Sequence, residues 1–199
     1  MAGKPLKLGR PATYEDLLAV PEHLVAEILD GDLYATPRPA FPHAFTTGMI
    51  FRDVASFHGA GGSGRGPGGW WILFEPELHF GHEIAVPGLA GWRHERMPVF
   101  PSAAYSELVP DWACEVASPA TVRVDRVRKM NLYAREGLAH LWLIDPLAQV
   151  LEVYRLDTGR FVVAGTFGAE DKVRAEPFPD LEIDLAVWWP PLAEPGSAG

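Results

Sequence analysis

Along residues 112–117 the chain alternates in a way that predicts a strand, because successive side chains on a strand point to opposite faces. Ala113, Glu115 and Ala117 then share one face, and Trp112, Cys114 and Val116 share the other. After Ser118-Pro119 the pattern becomes helical. Asp125, Lys129 and Tyr133 recur four residues apart and line one stripe, Val127, Met130 and Ala134 form a separate apolar stripe, and Gly137 closes the helix. A carboxylate flanked by two small residues has open space around it, and a helix carrying a lysine follows directly.

The same reading predicts the other elements. Thr13 reads as an N-cap with Glu15 and Asp16 in the first turn of a short helix that Pro21 stops. Leu24–Leu29 reads as a strand, with Glu27 pointing opposite to Ile28, and Asp30-Gly31 turns it into Asp32-Leu33-Tyr34 as a hairpin. From His43 to His58 the apolar spacing is helical. Residues 59–69 cannot continue that helix, because positions 59, 61, 62, 64, 66, 68 and 69 are glycine; the run lacks the lysine and hydroxyl ending of a phosphate cradle and reads as a loop. Strands at 70–74, 78–80, 84–86 and 89–93 read as a meander, 94–110 as irregular, and 141–144 as a further strand. A hairpin over 149–156 and 160–167 turns at Asp157-Thr158-Gly159, and from Trp188 the Pro, Gly and Ala composition reads as the approach to a flexible tail at 191–199.

Composition narrows the function. One core suffices for 199 residues, so a single domain over 1–190 is expected. With 17 basic and 26 acidic side chains the net charge is −9, which argues against a broad nucleic-acid-coating surface, so any DNA contact must be local. A single cysteine allows no internal disulfide, the first residues lack the apolar run of a secretory signal, and no stretch reaches the ~20 apolar residues of a membrane span. A cytoplasmic protein with no membrane partner is the expectation.

On the residues alone, a strand acid facing a helix lysine suits metal-assisted phosphodiester hydrolysis. The plainer alternatives are a Glu115 paired with Arg123 or Arg126, a solvated Lys129, a Glu27 on the sheet surface, a His43 that only caps a helix and a Tyr133 that only packs. Other chemistries fit less well. Cys114 has no histidine at zinc-ligand spacing and falls on the apolar face of its strand, and Ser118 is followed by Pro119 in place of a glycine-flanked elbow.

The ordered series Glu27-Ile28-Leu29-Asp30-Gly31, Pro42-His43, Pro110-Asp111, Glu115-Val116-Ala117-Ser118-Pro119, Lys129, Tyr133 and Trp142-Leu143-Ile144-Asp145 resembles the Uma-two family, described as putative restriction endonucleases. That family looks like a branch of the PD-(D/E)XK nuclease superfamily. The resemblance implies an α/β (α+β) fold, a restriction-endonuclease-like mixed β-sheet flanked by helices, with the N-terminal helix and β-hairpin in front. It implies metal-dependent cleavage of DNA, with Mg²⁺ or Mn²⁺ as cofactor, no organic cofactor and a homodimer as the assembly. Glu115 would be the metal-binding acid, Glu27 a second one, and Lys129 the lysine at the phosphate. His43, Ser118 and Arg126 would contact substrate, and Arg123, Arg128 and Arg135 would supply further phosphate contacts.

The chain departs from the superfamily pattern at two positions. The lysine usually follows the acid by two positions, where this chain has Ala117, and Lys129 on the next helix takes its place. Where the family has Pro-Asp, this chain has Pro87-Gly88. Glycine offers no ligand oxygen, so Glu27, Asp111 or Glu83 would have to stand in. A weakened nuclease, or a relic acting as a nucleic-acid or protein binding module, is therefore the second expectation.

Overall fold

The computed structural model describes residues 5–6, 8–38, 40–59, 67–119 and 121–191. Thr13 caps α1 (Tyr14–Leu18) through a reciprocal hydrogen-bonded box with Asp16. The β1 strand (Leu24–Leu29) returns antiparallel as β2 (Asp32–Pro37). The two turn residues, Asp30 and Gly31, have φ of 52° and 79°, the left-handed pair that a tight hairpin requires. The α2 helix (Phe41–Val54) has proline in its first turn, where the missing N–H costs nothing, and runs on as a 3₁₀ turn, Ala55–Phe57.

Four strands follow: β3 (Trp70–Phe74), β4 (Glu77–Phe80), β5 (Glu83–Ala85) and β6 (Leu89–Arg93). They do not form the expected meander. β3 pairs with β6, whereas β4 and β5 pair with each other and join β1 in a different sheet. The chain leaves one sheet after β3 and re-enters it through Val86-Pro87-Gly88. Short local strands with tight turns look alike in sequence whether they pair with the next strand or skip it.

The 94–110 stretch contributes a two-residue strand, β7 (Tyr105–Ser106), and β8 (Trp112–Val116) follows. Residues Val122–Val124, Asp125–Lys129 and Met130–Glu136 run on as one helix, α3, whose middle section is π-wound. Gly137 ends it at a φ of 85°, as its position predicts. Then come β9 (His140–Asp145), β10 (Val150–Asp157), β11 (Arg160–Gly168), β12 (Lys172–Val173) and β13 (Ile183–Asp184), with a closing 3₁₀ turn at Leu185–Trp188.

One sheet has the order β2-β1-β5-β4-β7, the other β11-β10-β9-β8-β6-β3, and β12-β13 is a separate ribbon. In the larger sheet β8 is internal, antiparallel to β6 and parallel to β9. Its Trp112, Cys114 and Val116 face a core made with α2 and the segment from Val173 to Trp189. Ala113 faces a second core shared with α3 and the smaller sheet, and α1 covers the outer side of that sheet through Leu17, Ile28 and Ile84.

Two other expectations fail. Val127 is exposed and Met130 only partly buried against the second core, whereas the face that α3 buries fully carries Val124, Asp125, Lys129, Leu132 and Tyr133, so the apolar stripe at 127, 130 and 134 is not the main packing face. Trp188 and Trp189 are buried, with Trp188 Nε1 donating to Asp53 at 2.8 Å, so the chain is still part of the core there. The expected tail from 192 onward and the glycine run at 60–66 lie outside the described residues.

Candidate functional site

The β5–β6 crossing brings the two sheets together, and charged side chains meet there. Glu27 comes from β1, Glu115 from β8, and Asp125 and Lys129 from the π-wound turn of α3. A π turn adds a residue to the helical winding and recurs at functional sites. All four residues are only 3–5% exposed. Lys129 Nζ lies 2.7 Å from Glu27 Oε1, 3.1 and 3.2 Å from the two Glu115 oxygens, and 3.6 Å from Asp125 Oδ1. It also donates to the Val86 carbonyl at 3.3 Å, while the Val86 N–H donates to Glu27 Oε1 at 2.7 Å. Tyr133 Oη completes the group, donating to Glu115 Oε1 at 2.7 Å.

Charge and burial then act on each group. Burial pushes the Glu115 carboxyl up to about 8; Lys129 pulls it down, Asp125 and Glu27 push it further up, and the Tyr133 hydrogen bond offsets part of the rise. Asp125 is raised as well, by burial and then Glu27, against Lys129 and the Thr121 hydroxyl. Burial alone would lower Lys129, but Glu115, Glu27 and Asp125 outweigh it and hold the ammonium above its ordinary range. Three carboxylates face one ammonium, so full ionisation would leave an excess of two buried negative charges.

The cluster forms one wall of a cleft of about 320 Å³, which Val86, Gly88, Arg38, His43, Ser118 and Thr121 also line. His43 opens onto it from the first turn of α2, held below the usual histidine range by burial and then the Lys129 charge, against a hydrogen bond with the Val116 main chain. Ser118 Oγ accepts the Thr121 N–H at 3.3 Å and so ties the entry of α3 to the end of β8. At the rim Arg38 pairs with Glu75 at 2.8 Å.

Of the residues predicted from sequence, Glu27, Glu115, Lys129, His43 and Ser118 come together at this cleft. Arg126 does not line it: its guanidinium points outward onto Glu152 of β10. Nor does Glu115 pair with Arg123 or Arg126, since Lys129 is its cation. Arg128 is tied to Asp30 and Arg135 to Glu83 and Glu136, so these arginines are already matched by acids. Neither Asp111 nor Glu83 replaces the carboxylate absent at Gly88. Asp111 holds Arg96 at 3.0 Å and the Arg93 N–H at 2.8 Å, and Glu83 holds Arg135 at 3.0 Å. Sequence reasoning left out Asp125 as a site acid and gave Tyr133 a packing role. Their four-residue spacing with Lys129 was the available signal.

Gly88 sits against β8. A Cβ there would lie 3.3 Å from the Cys114 carbonyl oxygen, so a larger residue needs β8 or the crossing to shift by a few tenths of an ångström. The donor set suits a hard divalent cation: carboxylate oxygens in excess of positive charge beside an open cleft. Glu115 and Glu27 are the two residues that would hold such an ion. As the side chains stand, however, the acids are gathered on Lys129, and among the described residues no three Asp, Glu, His or Cys side chains are grouped as metal ligands. No helix among the described residues is long and apolar enough to cross a membrane.

Comparison with known proteins agrees with this fold. A solved structure described as a putative nuclease belonging to DUF820 from Anabaena variabilis ATCC 29413 superposes with a TM-score of 0.68 at 21% identity, over 90% of this chain and 98% of that one. No curated protein matches. The family model Uma2, described as "Putative restriction endonuclease", matches residues 11–187, and the chain belongs to that family.

Proposed function

We propose that this protein is a metal-dependent endonuclease that hydrolyses DNA phosphodiester bonds at the Glu115–Lys129 cleft, at a rate reduced by the missing acid at Gly88. The observation that carries this reading is the buried group in which Glu27, Glu115 and Asp125 surround Lys129 on the wall of an open cleft. A Mg²⁺ or Mn²⁺ ion would supply an activated water and charge neutralisation at the leaving oxygen. The chain's own residues do the rest. Glu115 and Glu27 would provide oxygen ligands, Tyr133 fixes the Glu115 carboxylate, and the Lys129 ammonium supplies positive charge where a scissile phosphate gains negative charge. His43, with its basicity lowered, is a neutral imidazole at pH 7 in the same cleft and can hydrogen-bond a phosphate or a water.

DNA as substrate rests on the family. A net charge of −9 and arginines already paired with acids limit the contact to the cleft and its rim. A homodimer belongs to the same reading, because one cleft per chain cuts one strand and two are needed to cut both. A cytoplasmic location belongs to the same reading, because that is where DNA as substrate is met. The second reading, a nuclease fold kept as a binding module, is favoured by one observation: Gly88 lines the cleft without a ligand oxygen, and Asp111 and Glu83 are engaged elsewhere.

Nicking of supercoiled plasmid in Mg²⁺ or Mn²⁺, with native protein beside Glu115→Ala and Gly88→Asp, tests the proposal. Nicking by the native protein that Glu115→Ala abolishes, and that Gly88→Asp exceeds, is the expected result. Activity confined to Gly88→Asp would mean an inactivated enzyme with the rest of its site intact. Silence from all three would favour the binding module.

A further inference from the structure

The place where acids converge is already filled by a cation. Lys129 Nζ is within 3.6 Å of five oxygens drawn from β1, the β5–β6 crossing, β8 and α3. An ammonium has three protons to donate, so it is more than satisfied. At 4% exposure it lies in the wall of the cleft with almost none of its surface open. With the acids drawn onto Lys129, no three Asp, Glu, His or Cys side chains among the described residues, this cluster included, stand grouped as metal ligands.

From this geometry we infer that Lys129 is a built-in counter-ion that competes with the divalent cation for Glu27 and Glu115, and so sets the metal affinity of the site. The inference rests on the metal-dependent reading above and deepens it. Two cations cannot share those carboxylate oxygens at hydrogen-bonding distance, because like charges that close repel strongly away from water. Entry of the ion therefore requires Lys129 to swing outward. Its flexible four-carbon stem permits the movement, and the cleft lined by His43, Ser118 and Thr121 gives it room. The ammonium then arrives where a phosphate can replace its lost partners, so ion binding and phosphate binding favour each other, each by the same factor. With no phosphate present, the site takes the ion only weakly.

The test is Mn²⁺ binding, followed by electron paramagnetic resonance of the free ion, for native protein, Lys129→Met and Lys129→Gln without DNA. Thermal unfolding of each is recorded with and without Mn²⁺. Met keeps the length of the side chain and removes the charge; Gln keeps a donor and serves if Met does not fold. The expected result is Mn²⁺ binding at least about tenfold tighter in the variants than in the native protein, with a larger rise in melting temperature on adding the ion. Equal or weaker binding in folded variants, beside measurable binding by the native protein, overturns the counter-ion role and leaves the proposed function standing. No Mn²⁺ binding by any of the three overturns both. Failure of both variants to fold even in Mn²⁺ also counts against it, because the ion should replace the missing charge.

Discussion

The two faces of β8 are equally dry and built on opposite terms. On one, Trp112, Cys114 and Val116 meet Trp142, Phe178 and Trp188, with the Trp112 ring 5.1 Å from Trp142 and 5.2 Å from Phe178. On the other, a single residue further along the same strand, Glu115 meets Lys129, Asp125 and Tyr133. The aromatic face stabilises the fold by removing apolar surface from water. The charged face starts from a desolvation cost of several kcal/mol per ion, which pairing recovers only in part, and apolar residues of similar size would often serve stability as well or better. A group this costly beside an open cleft is what the proposed chemistry rests on.

The comparison breaks most sharply under two substitutions of similar size and different character. Trp142→Ala should cost about 3–5 kcal/mol in urea denaturation, through a cavity that no ion can fill. Lys129→Met should cost about as much, by leaving three acids without their cation, but Mn²⁺ should restore much of that loss and none of the loss in Trp142→Ala. Tyr133→Phe comes next, at about 1–3 kcal/mol, because it strips a hydrogen bond from a buried carboxylate while leaving the ring packed.

Acidity separates the faces further. Glu115 binds its proton up to about pH 8 when folded, against an ordinary value of 4.5. The folded state therefore holds more protons than the unfolded chain between those values. The stabilising contribution of protonated Glu115 is full below pH 4.5 and is lost as pH rises toward 8. Unfolding free energy should fall by on the order of 1–3 kcal/mol from pH 5 to pH 8, and Glu115→Gln should flatten that slope. Urea titrations of both proteins at the two pH values check it. The smallest effect belongs to the arginines that sequence alone would place near phosphate: Arg126→Ala should change stability by less than about 1 kcal/mol, and plasmid nicking hardly at all, because its guanidinium sits half-exposed on Glu152.

What sequence shows and what it hides follows the range of each interaction. The Leu24–Tyr34 hairpin, the alternation around Glu115 and the Gly137 helix stop are set within a few residues, and the structure has them as the chain spells them. The pairing of β3 with β6 over the intervening strands is a long-range choice that no local pattern records. Helical spacing placed Asp125, Lys129 and Tyr133 on one stripe correctly. It could not show that this polar stripe, and not Val127, is the one that faces inward, because burial of two acids and a lysine makes sense only once Glu27 is brought in from another sheet. Trp188 and Trp189 were hidden by their proline, glycine and alanine neighbours, although their size alone argues for a place in the core.

The charged face of β8 is proposed as a phosphodiester-cleaving centre. The most direct test is the rate of plasmid nicking by Glu115→Gln against native protein in Mn²⁺, at a temperature where both are folded. A cleaving centre there should lose roughly a thousandfold or more in rate, with stability unchanged or improved. Equal rates from the two proteins would contradict it.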